Sequence, residues 1–129
     1  MLDLAHVDNL VEPQDRGADL VITHPVTGER MADIVLTIAG PDSDTARRAR
    51  IRLSDELMAF RNRPPADELE RIEVERLARC VIGWKVTRDG KPVEYSFSNV
   101  VKLLTSVQFV REQVEQFSQN RAPYFMRMA

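Results

Sequence analysis

The stretch ITHPVTGERMADIVLTIAGPDSD, residues 22–44, changes its periodicity within a short length and so decides the fold class. Leading into it, residues 19–24 alternate, with Leu20, Ile22 and His24 on one face and Val21 and Thr23 on the other. Residues 31–39 repeat that period, setting Ile34, Leu36 and Ile38 against Val35 and Thr37. Successive side chains of a strand point to opposite faces, so each run reads as a strand with one apolar side. Between them, PVTG places Gly28 where a positive φ is needed, which predicts an antiparallel hairpin over residues 19–39. PDSD then brings Asp42 or Ser43 to cap free amides, and alternation gives way to a helical period.

Working outward, Ala46, Ala49, Leu53, Leu57 and Phe60 form one stripe, so a helix is expected over residues 43–62, stopped by Pro64 and Pro65. Leu69, Ile72, Leu77, Cys80, Val81 and Trp84 keep helical spacing through residues 66–84. Asp67, Glu68 and Glu70 sit in the first turn of that second helix, where the helix dipole favours negative charge. The apolar hairpin face is expected to pack on these first two helices. KVTRDGKPVEYSF carries an Asp89-Gly90 turn and is compatible with a small irregular hairpin or a loop. Ser96 or Ser98 can cap a helix over residues 98–105, and Val107, Val110, Val114 and Phe117 continue as a last helix over 107–119, with a bend near Thr105-Ser106.

Residues 1–17 are acidic and end in the breaker-rich EPQDRG, which predicts a flexible leader that docks weakly at most, through Leu4, Val7 and Val11. The tail RAPYFMRMA carries Tyr124, Phe125, Met126 and Met128; folding back to close the core is preferred over service as a docking segment. The expected fold is α+β, mainly α: an N-terminal antiparallel β-hairpin packed on about four helices, in a single domain over residues 18–129.

A chain of 129 residues suits one core, which buries roughly two-thirds of the unfolded surface. Its net charge of -2 provides no global attraction to nucleic acid or anionic membrane. Cys80 is the sole cysteine, which excludes an internal disulfide and a thiolate zinc cluster and suits a reducing cytoplasm. No stretch approaches the roughly 20 apolar residues of a membrane span, and the start lacks the basic and apolar regions of a signal peptide, so a cytoplasmic chain with no membrane partner is expected.

The residues that carry chemistry are scattered. His6 and His24 lack metal-ligand spacing, and Ser43, Ser96 and Ser98 stand where helix caps are expected. Cys80 falls on an apolar stripe, the carboxylates of ADELERIEVE interleave with arginines as on a solvated face, and no Gly-rich phosphate loop occurs. No catalytic, metal or cofactor-binding residue is expected. Trp84 with Phe60 reads as core packing.

Two features point to surfaces instead. RRARIR gathers Arg47, Arg48, Arg50 and Arg52, with Arg61 and Arg63 beyond; acids on the same helix favour solvated or protein-binding arginines over nucleic-acid contacts. An isolated two-stranded sheet is marginal in water, so the hairpin must lie on helices or pair with another chain. Its outer face, Val21, Thr23, Val35 and Thr37, together with two unprotected strand edges, is either a partner surface or an ordinary half-exposed face. The interface candidates are therefore Val21, Thr23, Val35, Thr37, Arg47, Arg48, Arg50 and Arg52, with self-association expected.

This layout resembles the small tail assembly chaperones of long-tailed bacteriophages and prophages. The leading hairpin ADLVITHPVTGERMADIVLTIAGPDSD, the Arg-rich helix, RCVIGWK, EYSFSNVVKLL and the terminal FVREQVEQFSQNRAPYF carry the likeness, over most of residues 18–126. The resemblance implies a mostly helical, non-enzymatic protein with a small β element and no cofactor. It implies binding to the tape measure protein and tail tube protein in the cytoplasm of the infected or lysogenic host, and departure from the finished tail. A virion structural component, such as a neck, decoration or tail-completion protein, is the alternative. A nucleic-acid-binding regulator, resting on the arginine run, comes third.

Overall fold

In the computed structural model, which describes residues 3–126, the two alternating runs pair as antiparallel strands β1 (Ala18–Thr23) and β2 (Arg30–Ile38). Leu20 faces Leu36 and Val21 faces Val35, with an irregularity before Thr23. Gly28 takes φ 74° in the turn, and His24 Nδ1 accepts the amides of Val26 and Thr27 at 3.1 and 3.2 Å, so this histidine serves the turn.

The hairpin is not alone. The helix expected over residues 66–84 stops early: α3 is Ala66–Cys80, and Val81–Arg88 forms a third strand, β3. It pairs with the open side of β2, Leu36 opposite Trp84 and Val35 opposite Lys85. Helical spacing of Val81 and Trp84 misled because a short apolar run fits both periods; its β-branched and aromatic content, and Gly83, favour the strand once β2 offers a partner. Asp89 and Gly90, at φ 53° and 77°, then turn the chain into the two-residue β4 (Lys91–Pro92), so the irregular-hairpin alternative holds. The sheet order is β1-β2-β3-β4.

The flexible leader expected over residues 1–17 is corrected over its described part: Leu4–Arg16 forms helix α1, with the Asp3 carboxylate accepting the amides of Ala5 and His6. Tertiary contact overrides the Pro13 breaker signal, whereas Gly17, at φ 83°, ends the helix. Gln14, 1% exposed, donates through Nε2 to Asp42 Oδ2 at 3.0 Å and accepts the Asp42 amide through Oε1 at 2.9 Å. The Gln14 carbonyl takes the Gly40 amide at 2.9 Å, and Asp15 accepts the first amide of the next helix, from Asp44, at 2.9 Å.

Gly40 makes this seat possible, since a Cβ there would lie 2.6 Å from Gln14 Cβ. Gly40→Ala is therefore expected to cost about 1–3 kcal/mol and to unseat α1. Hydrogen exchange should speed up through Leu4–Arg16 with the sheet still protected; unchanged exchange there would refute the seat.

The remaining helices follow their caps. Ser43 accepts the Ala46 amide at 3.1 Å and starts α2 (Asp44–Met58), which ends short of the expected residue 62. Ser96 accepts the Asn99 amide at 3.1 Å and starts α4 (Phe97–Ser106); the expected bend falls at Val107, which separates α4 from α5 (Gln108–Ser118). A short α6 (Pro123–Met126) folds back as expected: Tyr124 is buried, donates to the Ile38 carbonyl at 2.9 Å and meets Phe117 edge-on at 5.9 Å. The Met126 side chain and Met128 lie outside the described residues.

Ile22, Leu36 and Ile38 point inward to a core completed by Val74 and Leu77 of α3, Val100 and Leu104 of α4, and Val110 and Val114 of α5. Among the described residues the architecture is α+β, with six helices and a four-stranded antiparallel sheet. Of the first two long helices read from the sequence, α3 meets the sheet, and so does α5, whereas α2 packs chiefly on α3. Trp84 does not pair with Phe60 as proposed from spacing; its indole donates to the Val93 carbonyl at 2.9 Å and stands edge-on to Tyr95.

Candidate functional site

The reactive side chains are employed structurally. Ser43 and Ser96 cap helices, and His6 completes the α1 capping box. Cys80 is buried at the α3–β3 junction, and that burial pushes its thiol above the ordinary range, away from the nucleophilic thiolate. The acids of α3 meet arginines: Arg71 donates to Glu68 at 2.8 Å and to Glu75 at 3.1 Å, while Arg79 pairs with Glu75 and Glu56 and lies 5.3 Å over the Phe97 ring. These contacts tie α2, α3 and α4 together. Among the described residues, no three His, Cys, Asp or Glu side chains gather as a metal cluster would require.

The hairpin candidates separate into an open face and a closed edge. Val21 and Val35 lie side by side across β1 and β2, half-buried, with Lys85 next in the row. Thr37 is beside them and donates its hydroxyl to Asp19 at 2.7 Å. Thr23 belongs to the edge. Gln113 of α5 accepts its amide at 2.9 Å and its hydroxyl at 3.2 Å, and donates back to its carbonyl at 2.9 Å. On the opposite side of the sheet, Tyr95 donates to the Val81 carbonyl and the Val93 amide to the Val86 carbonyl, each at 2.8 Å. The second edge of the hairpin is thus covered by β3, and the remaining edges are capped at Thr23 of β1 and Val81 of β3, contacts that blunt those positions against a further strand.

The arginine candidates all lie on the exposed side of α2 with local partners. Arg48 reaches Asp44 at 2.8 Å, Arg47 reaches it at 3.6 Å, and Arg52 meets Glu56 at 3.2 Å. Arg50 donates to the Pro41 carbonyl at 3.1 Å. Exposed pairs of this kind contribute about 0–1 kcal/mol, so they leave the arginines available to a partner.

Two further surfaces emerge, one of them on residues that the sequence reading named only for weak docking of the leader. One is the apolar stripe of α1, where Leu4 is 80%, Leu10 50% and Val7 38% exposed. The helical spacing of Leu4, Val7 and Val11 was its signal, hidden by the proline. The other is a groove of about 400 Å³ between α4 and the β3–β4 hairpin, floored by Trp84, Val86, Val93 and Leu103 and flanked by Arg88 and Lys102. It forms where the β3–β4 turn folds onto α4, and no residue pattern announced that packing.

Helix α1 and the segment leading into α6 converge on Asp42. Arg121 donates to it from Nε and, at 2.8 Å, from an Nη, and Gln14 donates from α1. The Arg121 hydrogen bonds first, then that of Gln14, lower the Asp42 pKa from 3.8 to about 2. Because folding lowers this pKa, the junction adds stability above pH 3.8 and loses it as pH falls toward 2. Denaturant titrations across that window should show a shallower acid loss for Asp42→Asn than for the parent chain. Parallel curves would remove Asp42 from the account.

No family model, curated protein or solved structure matches the chain. Among the described residues, no helix is long and apolar enough to cross a membrane.

Proposed function

We propose that this chain is a tail assembly chaperone of a long-tailed bacteriophage or prophage, acting by reversible adhesion and without a catalytic centre. In this reading it holds the tape measure protein soluble in the host cytoplasm and recruits tail tube subunits while the tail is built. The observation that carries the adhesive part is the stripe of Leu4, Val7 and Leu10, left bare on a helix seated at its C-terminal end. The half-buried Val21 and Val35 add a second modest apolar patch. A client that must later be released is better held by several modest contacts than by one deep anchor. Self-association would align copies along an extended client and raise their effective concentration on it. The choice of clients rests on the sequence resemblance.

Co-expression with the tape measure and tail tube proteins of the same genome tests this. The tape measure protein should co-purify with the chain and become more soluble, and mature particles should lack the chain. Charge substitutions at Val21 and Val35 should weaken capture while circular dichroism stays unchanged. Stoichiometric recovery of the chain from purified particles would favour a virion structural component instead.

A further inference from the structure

We propose that the α1 stripe of one copy docks in the α4/β3–β4 groove of a second copy. The two surfaces are opposite in sign. Leu4, Val7 and Leu10 present an apolar ridge, and Asp8 and Glu12 follow along one flank at helical spacing, Glu12 also lying 3.8 Å from the exposed Arg16. The groove offers an apolar floor with Arg88 and Lys102 in its lining, and neither of these forms a salt bridge among the described residues. A helix laid by its apolar face into a hydrophobic groove is a recurrent recognition mode, and flanking charges set its direction. A helix of 13 residues spans about 20 Å, enough to place several ridge side chains along such a groove.

Within one copy the ridge stays bare, because α1 is seated at Gly40 and Asp42 and lies against α6, whereas α4 and β3 wall the groove. The groove therefore takes the ridge from a neighbour. The two patches differ, so copies either exchange helices reciprocally or add head to tail. This deepens the adhesive reading by naming the surfaces through which copies meet, and its test needs no client.

Sedimentation velocity over a concentration series, on the full chain, decides it. The parent chain should associate. Leu10→Asp, which spoils the ridge, and Lys102→Glu, which spoils the groove, should each weaken association roughly tenfold or more with circular dichroism unchanged. Mixing the two variants should restore a heterodimer, since one intact ridge then meets one intact groove. Adding Glu12→Lys to the Lys102→Glu chain should recover part of the association. A parent chain monomeric throughout, a Lys102→Glu chain that assembles like the parent, or a mixture that stays monomeric would each overturn the docking. A monomeric parent that still solubilises the tape measure protein would leave the proposed function standing, and an assembling chain with no client would do the reverse.

Discussion

Leu36→Ala is expected to cost about 2–5 kcal/mol, the range for removing a buried leucine without collapse of the site. Leu36 is fully buried and sits on the central strand β2, where its inward side chain lies between Leu20 of β1 and Trp84 of β3. Neither neighbour can move in to fill the space, because both are fixed by strand pairing. The melting temperature should fall on the order of 10 °C or more. Met58→Ala, at an exposed position on α2, should change it little and serves as the control. A Leu36→Ala effect no larger than that of Met58→Ala would mean that the sheet does not close on the helices as described.

Tyr124→Ala should come next, at about 3–5 kcal/mol, comparable to other large aromatic truncations in a core. The ring is 2% exposed, packs edge-on against Phe117 and brings its hydroxyl to the Ile38 carbonyl. Tyr124→Phe keeps the ring and leaves that carbonyl without its partner, so a loss of about 1 kcal/mol is expected. The ratio of the two variants in urea denaturation separates packing from hydrogen bonding. Equal losses would show that the hydroxyl, not the ring, holds α6. Burial also pushes the Tyr124 phenol well above its ordinary pKa, so its absorbance should not shift to the phenolate form until the chain unfolds in alkali.

Where local chemistry was self-sufficient, residue patterns were enough. The β1 and β2 alternation, the capping of α2 and α4 by one residue of each candidate pair, the burial of Cys80 and the return of Tyr124 all follow from groups acting on near neighbours or from plain apolar character. The misassignments share one cause. VIGWKV satisfies a helix and a strand alike, and the vacant side of β2 chose the strand. EPQDRG reads as a breaker, yet the fit of Gln14 against Gly40 and Asp42 keeps the helix intact through Pro13. The candidate surfaces divide in the same way. Val21 and Val35 could be placed on an outer face by period alone, whereas the assignment of Thr23 to a blocked edge needed Gln113, ninety residues away in the chain.

The order of apolar and capping residues by itself determined the α+β class, the first hairpin, the starts of α2 and α4 and the inward set of Ile22, Leu36 and Ile38, because period and caps act over a few residues. Tertiary structure alone decided that Val81–Arg88 joins β2 as a third strand, that Gln113 caps the β1 edge at Thr23, and that α1 is seated through Gln14. Each of these rests on hydrogen bonds or packing between segments far apart in the chain, and such contacts form only once the core has brought those segments together.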